Sequence, residues 1–411
     1  MAIINQPFQG QLGDIIINEL DNNYSSFTVF SAFAKNSGVL RLKSALEDFK
    51  SRGGIITAFI GIDLDGTSYE ALLNLYSICD NLYVVHSENF SSTYHSKIYL
   101  LERDDKAWCA VGSNNFTGGG LWTNFESCSI ETYSIPQDQS ELQNIYEMIE
   151  KYSDKDYACS NRISKLEDIE SLLNANYITK EVTQRIENIS RRSYQKSRQK
   201  QIELFGSEKV SIPSLVTIEK GHKDKPGKSE AQKVEFAFEM GMKEPAFSNE
   251  QFWFEMREST GGSRNILDLS KIGRIMHGTV QGTPYEYSPD SSRMYGGVKF
   301  FEIDPDDIKR QKNITINYCG KDYSPSTIKF APDNGSWRIQ LKGEPSDGTE
   351  ELSRFGNRGD FVHKILVFEK INPYYYGVSL LDENELDKLK ESSRVWAFNG
   401  NSKTSKAYGM L

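Results

Sequence analysis

The segment Tyr94-His95-Ser96-Lys97-Ile98-Tyr99-Leu100-Leu101 carries more information about this protein than any other part of the chain. His95 and Lys97 stand two residues apart in an apolar alternation, which predicts a β-strand with both side chains on one face. A polar turn, Gly112-Ser113-Asn114-Asn115, follows, and Asn124-Phe125-Glu126 places a carboxylate beyond it. An imidazole can attack phosphorus, an ammonium and an amide can bind phosphoryl oxygens, and a carboxylate can orient the imidazole. These residue types predict a site that cleaves phosphodiesters.

The motifs resemble the signature of the phospholipase D superfamily, which reads H-x-K, then G-S-x-N, then a downstream Glu. One departure is Glu102, where the family usually has Asp five residues after the Lys. In the family that residue is mainly structural. The resemblance implies a covalent phosphohistidine intermediate and no need for a metal or other cofactor. The candidate catalytic residues are His95, Lys97, Asn115 and Glu126, and Ser113 is a candidate substrate-binding residue.

Length and composition indicate more than one domain. The 411 residues, 38% of them hydrophobic, suffice for two or three cores. A net charge of −9 argues against a surface coated for non-specific nucleic-acid binding, although it permits a local basic cleft. No apolar run reaches the roughly 20 residues of a membrane helix, and the first residues lack the basic region of a secretory signal. The five scattered cysteines favour buried thiols in a reducing, cytoplasmic environment over disulfides or a zinc site.

Residues 1–150 alternate between strand-like and helical patterns. Buried strands are predicted at 27–33, 55–60 and 82–85, and the H-x-K segment adds another. Apolar residues at helical spacing predict one helix that ends at Gly53-Gly54 and a second helix around Leu72 and Leu75. This alternation predicts an α/β catalytic domain with helices on the faces of a sheet.

Residues 151–230 are predicted to form a helical connector followed by a basic linker. Apolar residues recur at spacings of three or four from about 137 to 205, which indicates helices. From Arg191 onward the chain is basic, and the polar, glycine-punctuated segment 221–227 reads as a loop. Two interpretations of the charge stay open. It marks a solvated helix face, or it contacts the DNA backbone through residues such as Arg191, Arg192 and Arg198.

Residues 231–411 are predicted to be β-rich. Strand-like segments separated by Gly, Pro, Asp and Asn favour a β-barrel or sandwich. The segments are 234–238, 251–254, 297–301, 314–318, 337–341 and 361–368. This region has no second H-x-K, since His363-Lys364 lacks the intervening residue. The chain therefore carries a single catalytic half-site.

A single half-site has a consequence for assembly. The superfamily reaction uses two histidines, one to attack phosphorus and one to protonate the leaving oxygen. A chain with one H-x-K takes the second histidine from elsewhere, and a twofold-related copy is the simplest source. We therefore expect a homodimer with His95 of both subunits at its seam.

The overall layout resembles the metal-independent restriction endonucleases of the BfiI and NgoFVII type. In that group an N-terminal phospholipase D-like nuclease domain dimerises, and a C-terminal B3-like barrel recognises a short asymmetric DNA site. The resemblance implies double-stranded DNA as the substrate and a cognate DNA methyltransferase as a partner. Some members work with a separate ATPase or helicase subunit, and this chain has no P-loop motif of its own.

Two segments of the third region have side chains suited to reading DNA bases. In the major groove, Arg and Lys contact guanine edges, and Asn and Gln contact adenine. Segments 257–265 and 354–360 combine such residues with flexible glycines, although ordinary hairpin loops remain the alternative interpretation. The candidates are Arg257, Arg264, Asn265, Arg354, Asn357 and Arg358.

The sequence leaves three functions open. The first is a site-specific restriction endonuclease. The second is another phospholipase D-type phosphodiesterase, either a non-specific nuclease or a lipid hydrolase, for which a duplicated motif or a membrane-facing chain is typical. The third is a catalytically silent DNA-binding or defence accessory protein, for which a broken motif is typical. The intact single motif favours the first.

Overall fold

The computed structural model describes residues 2–89, 91–196, 210–211, 235–236, 250–257, 264–269, 272–345, 347–399 and 405–411. Most of the predicted basic linker and of the strand at 234–238, together with Arg198 and the middle of segment 257–265, lie outside these residues. The chain divides into two compact units. The catalytic unit contains residues 1–181 and 203–245, and the C-terminal unit contains residues 182–202 and 246–411.

The catalytic unit alternates strands and helices, as predicted. Its helices are α1 (Leu12–Leu20), α2 (Asn36–Ser51), α3 (Tyr69–Ile78), α4 (Gln143–Ser153) and α5 (Leu166–Asn174). Its strands are β1 (Ala2–Gln6), β2 (Ser26–Ser31), β3 (Ile55–Gly61), β4 (Asn81–Val85), β5 (Lys97–Arg103), β6 (Lys106–Gly112), β7 (Glu126–Ser134), β8 (Ser160–Ile163), β9 (Val210–Ser211) and β10 (Glu235–Phe236).

Eight of these strands form one mixed sheet in the order β1-β7-β6-β5-β2-β3-β4-β8. Strands β2, β3 and β4 are parallel, whereas β5 runs antiparallel to β2 and β6 antiparallel to β5. The carboxyl ends of β2, β3, β4 and β6 therefore meet the amino ends of β5 and β7 at one edge of the sheet. Strand β8 corrects the expectation that residues 137–205 are entirely helical, because it pairs with β4 and closes that side of the sheet.

Apolar side chains cover both faces of this sheet. Phe30, Phe59 and Leu100 are buried beneath α4, which contributes Ile149 and Tyr152 to the same cluster. Alternating residues of each strand point to the opposite face. Helix α2 confirms the predicted apolar spacing, with four buried residues on one side (Val39, Leu42, Leu46 and Phe49). The helix ends before Gly53, whose φ of +91° lies in the left-handed region that favours glycine.

The C-terminal unit is β-rich. Its helices are α6 (Glu181–Lys196), α7 (Gly297–Phe300), α8 (Leu352–Arg358) and α9 (Leu386–Ser392). Its strands are β11 (Gln251–Glu255), β12 (Ile266–Asp268), β13 (Gly273–His277), β14 (Arg293–Met294), β15 (Gln311–Tyr318), β16 (Lys321–Ala331), β17 (Ser336–Gln340), β18 (Glu344–Pro345), β19 (Lys364–Asn372), β20 (Tyr375–Asp382), β21 (Val395–Phe398) and β22 (Ala407–Met410).

These strands form one large sheet that runs from β12 at one end to β14 at the other. Across the described residues the two ends do not pair, so the predicted closed barrel is not seen. One cluster of aromatic and aliphatic side chains, including Phe252, Trp337 and Tyr376, fills one side. A second cluster joins Val182 and Ile186 of α6 to Trp253 and Leu389.

Three predictions for this unit need correction. Residues 297–300 form helix α7 where the sequence predicts a strand over 297–301, because a short and mostly apolar run has no period that distinguishes a helix from a strand. Residues 354–358 belong to helix α8 instead of a loop, and Gly359 ends that helix with a φ of +94°. Strand β19 begins at Lys364, three residues later than predicted. Strands β11 and β17 lie within one residue of their predicted positions, and β15 contains the predicted residues 314–318 but begins at Gln311.

Candidate active site

The sequence-predicted catalytic residues meet at one edge of the catalytic unit's sheet. Ser31, at the end of β2, lies opposite Lys97, the first residue of β5. Gly112, at the end of β6, lies opposite Cys128 of β7, two residues after Glu126. The β-sheet register therefore brings the H-x-K motif, the G-S-x-N turn and the downstream carboxylate together, although they span more than thirty residues of sequence.

His95 and Lys97 are in direct contact, but not as two residues of one strand. Strand β5 begins at Lys97, so His95 lies in the segment before it, which corrects the predicted placement. The Lys97 ammonium lies 2.5 Å from His95 Nδ1 and donates to the His95 carbonyl at 2.8 Å. The His95 ring is exposed and stands edge-on to Phe33, with ring centroids 5.8 Å apart. An imidazole beside a cation and open to solvent is suited to meet a phosphate.

Lys97 is the buried charge of the site, with 6% of its surface exposed. Burial lowers the pKa of Lys97, and the negative charge of Glu126 opposes this effect. The lysine therefore lies near Glu126 in a partly desolvated setting, where an ammonium interacts more strongly with an anion than it does in water.

The Glu126 carboxylate is oriented by two hydrogen bonds from neighbouring side chains. Its carboxylate accepts a short hydrogen bond from Ser113 Oγ and a second one from Asn124 Nδ2 at 3.1 Å. Ser113 Oγ in turn accepts from the Ser127 backbone N–H at 3.1 Å. Within the described part of one chain, Glu126 bonds to these residues and not to His95. Its predicted role of orienting an imidazole stays a prediction.

The turn that carries Asn115 is organised from inside the protein by Gln6. This side chain is 2% exposed and donates to the carbonyls of Gly120 at 3.0 Å and Asn124 at 3.1 Å. Its Oε1 accepts from the Leu12 backbone N–H at 3.1 Å. Sequence reasoning missed Gln6, because a single glutamine on a strand belongs to no recognisable motif.

Asn115 itself lies against backbone. A Cβ added to Gly120 would lie 2.3 Å from the Asn115 carbonyl oxygen, so glycine permits this close approach. Asn115 Oδ1 is buried, and among the described residues no donor reaches it. Buried polar atoms without a partner are rare in folded proteins.

Ser31 supports the same turn and was also missed. Its Oγ accepts from the Phe116 backbone N–H at 2.8 Å and donates to the Phe33 carbonyl at 2.8 Å. Ser31 is fully buried and lies opposite Lys97, so it links the end of β2 to both motifs.

Glu102, the departure from the family signature, lies at the other end of β5, away from this edge. Its carboxylate accepts from Tyr146 Oη of α4 at 2.7 Å. Burial raises the pKa of Glu102, and this hydrogen bond opposes the rise. The residue attaches α4 to the sheet, which is a structural role.

The predicted base-reading residues of the C-terminal unit differ in exposure. Arg257 is paired with the buried Glu255 carboxylate at 2.7 Å. Asn265 is 6% exposed and donates through Nδ2 to the Leu341 carbonyl at 3.0 Å, so it joins two segments of the unit.

The remaining candidate residues for reading DNA bases are exposed and lie close together around α8. The Arg264 guanidinium lies 3.1 Å from the position of a Cβ on Gly359, next to Arg358. Arg358 pairs with Glu350 and with Asp360. Arg354 and Asn357 are exposed on the same short helix. The structure thus joins residues from both predicted loops on one surface, which consists of Arg264, Arg354, Asn357 and Arg358.

Among the residues that the structure describes, no three His, Cys, Asp or Glu side chains cluster as a metal-ligand set. No helix of the described chain is both long and apolar enough to cross a membrane.

No model of a known protein family matches this chain, and no curated protein matches its sequence. Solved structures do align with part of it. One is Nuc from Salmonella typhimurium, described as a phospholipase D family member, at 18% identity and a TM-score of 0.29. That alignment covers 40% of this chain and 97% of Nuc.

NucT from Helicobacter pylori aligns at 15% identity and a TM-score of 0.25, over 36% of this chain and 94% of NucT. Yeast tyrosyl-DNA phosphodiesterase aligns at 15% identity and a TM-score of 0.24, over 43% of this chain and 41% of that enzyme. Each alignment covers less than half of this chain.

Proposed function

We propose that the chain is a phospholipase D-type nuclease that hydrolyses DNA phosphodiesters through a phosphohistidine. The observation that carries this proposal is the convergence of His95, Lys97, Ser113, Asn115 and Glu126 at one sheet edge, with the Lys97 ammonium 2.5 Å from the His95 ring. An imidazole nitrogen is the nucleophile. Lys97 and Asn115 stabilise the negative charge that develops on the phosphoryl oxygens.

The reaction takes two steps and two histidines. In the first, an imidazole nitrogen forms a bond to phosphorus while one P–O ester bond breaks, and the leaving oxygen takes a proton from the second imidazole. In the second, water attacks phosphorus and gives a proton to the second imidazole, while the P–N bond breaks. Both histidines are restored, and the products are one hydroxyl end and one phosphate monoester end.

The arrangement of His95 within one chain fits one of these two roles. An ammonium has no lone pair, so Lys97 donates to Nδ1 and the neutral ring carries its proton on Nε2. That tautomer can serve as the acid if Lys97 passes a proton to Nδ1 while Nε2–H protonates the leaving oxygen, so that the ring stays neutral and Lys97 becomes an amine. In the second step the proton from water returns to Nε2 and the Nδ1 proton returns to Lys97. An attacking ring needs its lone pair on Nε2 and its proton on Nδ1, where a carboxylate acceptor stabilises it. We propose that a second copy supplies both the other His95 and a Glu126 that accepts this proton.

An apolar surface beside the site supports a homodimer. Ile3 of β1 and Val111 of β6 lie on either side of Ser129 in the same β-sheet row, and both are exposed. Phe8 and Phe125 stack with ring centroids 5.5 Å apart and are about two-thirds exposed. Val111 precedes the G-S-x-N turn and Phe125 precedes Glu126, so a copy covering this surface would lie next to both motifs.

The dimer is tested by charge insertion. Val111→Glu and Ile3→Glu should convert a dimer into monomers in sedimentation velocity and abolish cleavage. Ile308→Glu, at a similarly exposed isoleucine of the C-terminal unit, is the matched control and should leave dimerisation and cleavage unchanged. A wild-type protein that sediments as an active monomer would refute the shared site.

We propose that the C-terminal unit recognises a specific DNA site and that the protein is a restriction endonuclease. The surface formed by Arg264, Arg354, Asn357 and Arg358 has the residue types that contact guanine and adenine edges. A B3-like mode of reading, a cognate methyltransferase and an ATP-driven partner subunit stay predictions from the resemblance.

One experiment separates the candidate functions. The purified chain is incubated with plasmid DNA in excess EDTA, and the cut ends are mapped, with His95→Ala as the inactive control. Discrete fragments are the expected result. A smear indicates a non-specific nuclease, and no cutting in EDTA with rescue by magnesium contradicts the proposed chemistry.

A further inference from the structure

Asp63 is a nearly buried carboxylate at the same sheet edge as His95, and both of its oxygens are engaged. It lies two residues after β3, and its side chain is 8% exposed. One oxygen lies 2.5 Å from Nδ1 of His86, which directly follows β4. The other oxygen accepts a hydrogen bond from the Tyr94 backbone N–H at 2.8 Å. Tyr94 is the residue immediately before His95.

His86 holds Asp63 in this orientation. Its Nδ1 faces Asp63, and its Nε2 lies 3.7 Å from a carboxylate oxygen of Glu88. The His86 ring also packs edge-on against Tyr177, whose hydroxyl donates to Glu88. A His–carboxylate pair with further contacts on its outer side is restricted in rotation, so Asp63 presents its second oxygen in a fixed direction.

The segment before His95 is fixed at several points. The Tyr94 ring lies edge-on to Tyr152 of α4 and close to Gly61, where a Cβ would come within 2.8 Å of it. On the other side, the His95 carbonyl accepts from Lys97 Nζ at 2.8 Å. His95 lies outside β5, so the backbone hydrogen bonds of that strand do not position it. The bond from Tyr94 to Asp63 supplies an anchor on its amino-terminal side.

We propose that Asp63 and His86 form a positioning pair that sets the location of His95 through the backbone of Tyr94. This inference rests on the proposed function of His95 as nucleophile and acid. Catalysis by a positioned group is sensitive to displacements of about 1 Å, which cost roughly 100-fold in rate. Neither residue is among those proposed to contact the substrate. Loss of the pair therefore lowers kcat and leaves the KM for DNA nearly unchanged.

The test uses the full-length protein and two matched pairs of variants. Asp63→Ala and His86→Leu remove the pair. Asp63→Asn keeps an acceptor for the Tyr94 N–H, and His86→Asn keeps a nitrogen at the δ position of the side chain. His363→Leu is the control, because His363 forms a similar pair with Glu383 at 3.1 Å in the other unit. Hydrogen–deuterium exchange of residues 87–96, measured without substrate, reports on the anchor independently of activity.

In Asp63→Ala and His86→Leu, the Tyr94 amide should exchange faster than in wild type. The kcat of both variants should be about 10- to 100-fold lower, which is on the order of the rate loss for a displacement of up to about 1 Å. The KM should stay within about threefold, and His86→Asn should recover much of both readouts. Faster exchange with an unchanged kcat would overturn the positioning role. Unchanged exchange would overturn the anchor itself. A wild-type protein without activity, but with a Tyr94 amide protected by Asp63, would refute the proposed function while the anchor stands.

Discussion

Gly120→Ala is the substitution that most directly tests how the fold places Asn115, the amide proposed to act in catalysis. The added Cβ would lie 2.3 Å from the Asn115 carbonyl oxygen and 2.6 Å from its backbone nitrogen. Both atoms belong to the main chain and cannot rotate away. Restoring an ordinary contact requires a displacement of about 1 Å between the two segments, and Asn115 belongs to one of them.

The expected loss of cleavage rate follows from that displacement. A misplacement of about 1 Å costs roughly 100-fold in rate, which corresponds to about 3 kcal/mol of transition-state stabilisation. Stability should also fall, because the Gly120 carbonyl accepts from Gln6 at 3.0 Å and from Asn114 at 2.7 Å. We therefore expect a single-turnover cleavage rate about 100-fold below wild type and a lower Tm.

Gly118→Ala is the matched control. Gly118 has helical backbone angles, and its added Cβ would meet the flexible ends of Arg41 and Ser37 at 3.0 Å. Both variants add one methyl group within the same short segment, and they differ in what that group strikes. A Gly120→Ala protein that keeps wild-type stability and more than a third of the wild-type rate would refute the reasoning.

Further predictions concern charge, stability and assembly. Because burial lowers the pKa of Lys97, the alkaline limb of the cleavage rate should lie below pH 10.5, and Glu126→Gln should move it lower still in a pH–rate profile. Burial lowers the pKa of Lys312 to about 8 in the C-terminal unit. The unfolded chain then binds more protons between about pH 8 and 10.5, so stability should rise over that window by up to about 3 kcal/mol. Urea unfolding of Lys312→Met should lack this rise. Mixing wild type with His95→Ala subunits should give nearly inactive heterodimers, whereas activity proportional to the wild-type fraction would contradict a shared site.

The sequence predicts that the candidate site residues converge, because the motifs that carry them are close together in the chain. Strands β5 and β6 form a hairpin, so the spacing between Lys97 and Ser113 is enough to place them side by side. Glu126 is the first residue of β7, the strand that pairs with β6 on its other side. Local patterns carry this information without any knowledge of the tertiary structure.

The parts that the sequence does not predict depend on long-range pairing or on short ambiguous runs. Gln6 and Asp63 act through side-chain hydrogen bonds to the backbone of other segments, and no spacing rule marks such residues. The apolar residues Val298 and Phe300 of α7 and Phe301 directly after it are fully buried, so alternation cannot identify their conformation. Asn265 has the residue type of a base reader but lies in the interior, because exposure is decided by tertiary packing.

The hydrogen bonds from Gln6 to the segment after Asn115 also determine when the candidate site is completed during synthesis of the chain. Gln6 and Gly120 are 114 residues apart, and β1 pairs with β7, which ends at Ser134. A nascent chain therefore carries β1 without its partner until the catalytic motifs have all been made. Contacts of such high sequence separation form late, because the loop must close before they contribute. His95 is therefore translated before the turn beside it is held in place, so the candidate site would be incomplete in a partly synthesised chain.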